Sequence, residues 1–116
     1  MAYDEDLAAR IRALLDTEAG VQEKKMFGGL AFLVGGNMAV AASGQGGLLV
    51  RVDPDQSDRI VRTTKAEPME MRGRSMAGWL RVSAQDVATK RQLDKWVRLG
   101  TGYASSLPAK ASTKRR

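Results

Sequence analysis

The side chains able to do chemistry are few and narrow in type. The chain holds no His and no Cys. That removes the usual general base, the commonest metal ligand and the thiolate nucleophile. Carboxylates remain: Asp53, Asp55 and Asp58 cluster, and Glu67 and Glu70 stand three apart. Paired carboxylates can run acid–base chemistry. Asp53-Pro54-Asp55-Gln56, though, reads as a helix start, where capping and the helix dipole already account for the acids. Glu67 and Glu70 flank a strand and can simply be solvated. Calcium or magnesium needs several converging oxygens, and these spacings do not follow the calcium-loop pattern. The expectation is no catalytic residue, no metal, no cofactor and no enzyme.

The remaining motifs favour structure over chemistry. Gly44-Gln45-Gly46-Gly47 has no following Lys and leads into a strand, so it lacks the context of a phosphate loop. Gly100-Thr101-Gly102 falls late in a helix instead of after a strand, which contradicts a dinucleotide fingerprint. The six methionines have no His or Cys beside them and read as core filling.

Charge offers a binding role instead. Lys and Arg number 19 against 13 Asp and Glu, a net charge of +6 that is spread unevenly. Residues 1–23 are acidic. The last stretch carries Lys110, Lys114, Arg115 and Arg116 with no acid. Lys24, Lys25, Arg72, Arg74 and Arg81, with Lys114, Arg115 and Arg116 of the tail, are the candidate contacts to an anionic partner. Aromatic residues interleaved among them, as single-strand binders use, are missing, since only Trp79 is near. Direct nucleic-acid binding is therefore the alternative reading and not the first.

The elements that must position these groups follow from pattern. Leu7, Ile11, Leu14 and Leu15 mark an amphipathic helix over residues 4–17, with Asp4, Glu5 and Asp6 at its dipole-favoured start. Met26 to Val50 carries no charge over 25 residues, but its glycine clusters punctuate short strands and exclude a spanning helix. A strand over 24–34, a Gly35-Gly36-Asn37 turn, a strand over 38–43 and a strand over 48–52 result. Gly28-Gly29 inside the first strand marks a bulge or a close backbone approach. A short helix follows Asp53, then a strand over 69–72, a loop over 73–78 and a strand over 79–82. Ser83 and Asp86 read as a capping box for a last helix striped with Leu93, Trp96, Val97, Gly100, Ala104 and Leu107. Residues 1–107 make the domain, and 108–116 are expected to be a disordered basic tail.

This order, α-β-β-β-α-β-β-α, gives a two-layer α+β domain: a five-stranded antiparallel sheet with helices on one face. The first strand is apolar on both sides. Phe27, Ala31 and Leu33 share one face, and Met26, Leu30, Phe32 and Val34 the other. A one-sided sheet would alternate with polar residues. Either both faces pack within the chain, or a partner covers the second, most simply another copy in a homodimer. Phe27, Ala31 and Leu33 are the candidate protein interface. The acidic start lacks the basic and apolar regions of a signal peptide, so a cytoplasmic place without membrane contact is expected.

Specific strings carry a resemblance. Lys25-Met26-Phe27-Gly28-Gly29-Leu30-Ala31-Phe32, Gly36-Asn37-Met38-Ala39 and Leu48-Leu49-Val50-Arg51-Val52 occur in that order. Met76 to Val82, Trp96-Val97 and Leu107-Pro108-Ala109-Lys110 follow. Together they resemble the TfoX/Sxy N-terminal domain family over about residues 5–110. The resemblance implies an antiparallel α+β fold similar to the secretion-chaperone-like fold, in which dimers occur. It also implies a part in transcription: longer members regulate natural competence with a cyclic-AMP-responsive activator and carry a second, helical domain. This chain stops nine residues past Leu107 and is expected to lack that second domain. The family defines no catalytic residues to carry over. The resulting expectation is a non-enzymatic module working through protein–protein contacts.

Overall fold

A computed structural model describes residues 3–16, 18, 20–26, 28–71 and 73–108, with the backbone alone for residues 71 and 74–76. The chain runs α1 (Glu5–Leu14), β1 (Val21–Met26), β2 (Gly29–Val34), β3 (Asn37–Ala42), β4 (Leu48–Arg51), α2 (Pro54–Thr63), β5 (Glu67–Met71), β6 (Arg74–Val82) and α3 (Lys90–Ser106). A single turn of tighter 3-10 helix, Ala84–Val87, precedes α3. The strands form one antiparallel sheet in the order β1-β2-β3-β4-β6-β5. The fold is α+β, as expected, with six strands instead of five. No helix of the described residues is long and apolar enough to cross a membrane.

The extra strand comes from Gly28-Gly29, which sits in a hairpin turn and not in a bulge. Gly28 has φ of +76°, and Met26 pairs with Gly29 across the turn. A Cβ on Gly29 would lie 2.1 Å from the carbonyl oxygen of Ala42, so the close backbone approach is real. The second correction is β6: residues 74–78, read as loop, continue the strand paired with β5. The third is at α3. Ser83 donates to the Asp86 carboxylate at 2.9 Å, but the pair belongs to the 3-10 turn. The capping box of α3 is Thr89 with Gln92, reciprocal at 3.1 and 3.0 Å.

Every helix packs against the same side of the sheet. Leu7, Ile11 and Leu15 from α1 and its C-cap, Val87 from the 3-10 turn, and Leu93, Trp96 and Val97 from α3 join Leu30, Phe32, Val40, Val50, Leu80 and Val82 in one core. Ile60 and Val61 of α2 lean on it from the edge. Gly100 lets α3 approach β3: a Cβ there would stand 2.4 Å from the Ala39 carbonyl oxygen. The end of α3 is fastened by Asn37, whose buried side-chain amide donates to the Pro108 carbonyl at 2.9 Å. Of the basic tail expected over residues 108–116, residues 109–116 lie outside the described residues.

Candidate functional site

Strand alternation sends the other half of the sheet's apolar residues to the opposite face. There Ala31, Met38, Ala41 and Leu49 form a second cluster. Met26, Leu33, Met69 and Trp79, all half-buried, pack around it. No helical residue contributes to this cluster among the described residues. Among the described residues, the buried central side chains are shielded by their strand neighbours, which are themselves partly in solvent. Among the described residues, a face of Met, Leu, Ala and Trp without a helix over it is an apolar surface of the sheet.

Of the candidate interface residues, Ala31 and Leu33 both lie on this face. Ala31 is fully buried at its centre and Leu33 is half-buried. Phe27 lies outside the described residues. Met26 is a correction: the hairpin at Gly28 reverses the chain, so Met26 joins the open face and not that of Leu30 and Phe32. Val34 goes to a third small cluster with Ala39 and Ala104.

The candidate basic residues are dispersed. Lys24 stands opposite Ala31 and Arg81 opposite Leu49, which puts both on the open face. They are four strand positions apart, about 19 Å at the usual strand spacing. Lys25 stands opposite Leu30 and so belongs to the helix side of the edge strand. Arg81 donates to the side-chain carbonyl of Gln45. Arg74 sits at the β5–β6 turn, with only its backbone described. Arg72, Lys114, Arg115 and Arg116 lie outside the described residues. Of the candidate cations, the two described on this face, Lys24 and Arg81, thus flank an apolar field at opposite ends instead of forming a continuous patch.

One cation escaped the sequence reading. Arg51, at the end of β4, stands opposite Trp79. Its guanidinium carbon lies 5.2 Å from the Trp79 ring centre and 5.6 Å from that of Tyr103 on α3. Cation–π attraction from two rings holds a planar guanidinium in place. The ion pairs among the described residues are Arg12–Glu23 and Arg98–Asp94, so Arg51 has no carboxylate of its own. Only the cross-strand register reveals this grouping, because the three residues are far apart in sequence.

The family of the chain follows from its span. A family model of the TfoX N-terminal domain matches residues 13–104. The chain belongs to that family. No curated protein matches it. The match runs from the last two residues of α1 to Ala104 on α3, so this TfoX N-terminal domain includes the whole sheet and both of its faces.

Proposed function

We propose that this TfoX N-terminal domain is a non-enzymatic regulatory module, accessory to transcription, that acts by holding a protein partner on its open sheet face. One observation carries the reading: a buried cluster of Ala31, Met38, Ala41 and Leu49, rimmed by half-buried Met26, Leu33, Met69 and Trp79, to which no described helix contributes. Family membership supports the regulatory side, and a sequence without His or Cys supports a binding role over a catalytic one. The direct nucleic-acid reading is weaker, because Lys24 and Arg81 stand at opposite ends of an apolar field instead of along one phosphate track.

Photo-crosslinking in the cells of origin tests this. A photoreactive residue replacing Leu33 on the open face is compared with one replacing Leu99, which is exposed on α3. Defined protein adducts are expected from position 33 and not from 99. No adduct from 33, or the same adducts from both, contradicts the proposal.

A further inference from the structure

The chemistry of the rim identifies what the open face takes. Its described charges are Lys24 on β1, Arg51 on β4 and Arg81 on β6, against one acid, Glu67, opposite Arg81 on β5. Three cations and one carboxylate therefore surround a neutral, apolar centre. Arg51 is the best prepared of the three: its guanidinium is oriented by Trp79 and Tyr103 and pairs with no described carboxylate. A stacked guanidinium with free donors matches a carboxylate bidentately.

We infer that the open face of this domain receives an acidic amphipathic helix from a partner protein. Its apolar stripe lies on the half-buried Leu33, Met26, Met69 and Trp79 that rim the buried Met38 and Leu49, and its flanking carboxylates reach Arg51, Lys24 and Arg81. This rests on the reading of the open face as a contact surface and names what contacts it. The layer missing over the sheet is the layer that the chain's own α1 and α3 supply on the other side, and a helix is the element that fits a broad sheet face. A helix of about four turns is roughly 21 Å long, which matches the span of about 19 Å between the strands of Lys24 and Arg81.

Charge decides against the other occupants. Two copies stacked face to face by a two-fold axis would set cationic rims together, with only Glu67 to offset them. The chain's own acidic helix is engaged elsewhere: α1 packs its apolar side into the core on the other sheet face, Asp4 caps it and Glu23 is paired with Arg12. A nucleic acid would find cations only at the margins and a single described tryptophan for stacking.

The test is a selection from displayed helical peptides of about 18 residues. All share one apolar stripe of Leu and Ala, with the flanking positions drawn from Glu, Lys and Gln. The full chain is the target, at about 0.1 M salt. Glu is expected to be enriched over Lys at the flanks by more than about tenfold. The selected peptides should lose about tenfold in affinity with Arg51→Gln, as for loss of a charge-assisted hydrogen bond. The loss with Lys24→Gln should be about threefold, the scale of an exposed ion pair. Leu33→Glu should weaken them by more than about tenfold. Enrichment of Lys or Gln, or no enrichment, overturns the inference. So does competition by a single-stranded oligonucleotide with steep salt dependence, which assigns the face to nucleic acid. Sedimentation showing a dimer that Leu33→Glu dissociates also overturns it, while leaving the face a contact surface. Selected peptides that bind Leu33→Glu undiminished bring down both readings.

Discussion

Phe32 and Leu33 are neighbours on β2, yet they belong to two different kinds of surface. Phe32 is completely buried under α1 and α3, in a core that draws residues from every helix. Leu33 is half-buried opposite Met38, in a cluster made by strands alone among the described residues. The first face is finished: its apolar area is out of water, and a glycine at position 100 was needed to bring α3 close enough. The second face has the same kind of residues, and its buried centre is ringed by half-buried strand neighbours, with no helix over it among the described residues. Similar side chains are thus covered differently: by helices on one side and, among the described residues, by strand neighbours alone on the other.

The sharpest way to break this comparison is to truncate both neighbours. Phe32→Ala should cost about 3–5 kcal/mol, the range for a buried aromatic, which is a large share of a small domain's stability. Leu33→Ala should cost under about 2 kcal/mol, because only part of the side chain is out of water. Chemical denaturation of both variants measures the difference. Equal costs would mean that the second face is as enclosed as the first.

A smaller effect sharpens the account of the covered face. Gly100→Ala should destabilise by about 1–3 kcal/mol, since its methyl would press into the Ala39 carbonyl at 2.4 Å and the Val40 methyl at 2.8 Å. Gly102, two residues on, is exposed with nothing within 4 Å of its Cβ position. Gly102→Ala should therefore stabilise by about 0.5–1 kcal/mol through helix propensity. Thermal melts of the pair should move in opposite directions.

The smallest expected effect lies at the sheet edge. Arg12 of α1 grips Glu23 of β1 with two bonds, Nε at 2.6 Å and Nη2 at 2.8 Å. The bond from Arg12 holds the Glu23 carboxyl below its ordinary value, against a smaller upward push from burial. A carboxyl lowered by folding stabilises the fold above its unfolded pKa and loses that contribution as pH falls through the folded value. Glu23→Gln should thus lower Tm slightly at neutral pH, by under about 3 °C for so exposed a pair. The two melts should converge as the pH drops below the ordinary carboxylate range. A difference that persists in acid would mean that Glu23 acts through packing.

Much of this was legible in the sequence because it depends on local rules. The glycine clusters at 35–36 and 44–47 punctuate strands, the Asp53-Pro54 pair opens α2, and the heptad-like stripe from Leu93 marks α3. The misreadings share a cause. Gly28 looked like an interruption in one strand because a two-residue turn and a bulge carry the same glycine signal. Ser83 and Thr89 both begin a capping pattern with a partner three residues on, and only packing shows that the second starts the long helix. Residues 74–78 became strand because β5 was there to pair with them. The doubly apolar run at residues 30–34 does supply both sheet faces, Leu30 and Phe32 to one and Ala31 and Leu33 to the other. The grouping of Arg51, Trp79 and Tyr103 could not be seen, since cross-strand register is a property of the whole sheet and not of any window.

The central claim is that one sheet face is finished within the chain and the other is not. Because the chain has no Cys, a thiol placed at either face is unique and its alkylation rate reads coverage directly. In the dilute isolated protein, Leu33→Cys should react within about tenfold of an unfolded peptide thiol. Ala42→Cys, on the covered face at zero exposure, should react only through unfolding, slower by several orders of magnitude. Protection of position 33 equal to that of position 42 would show that the chain covers its own second face, and the account would fall.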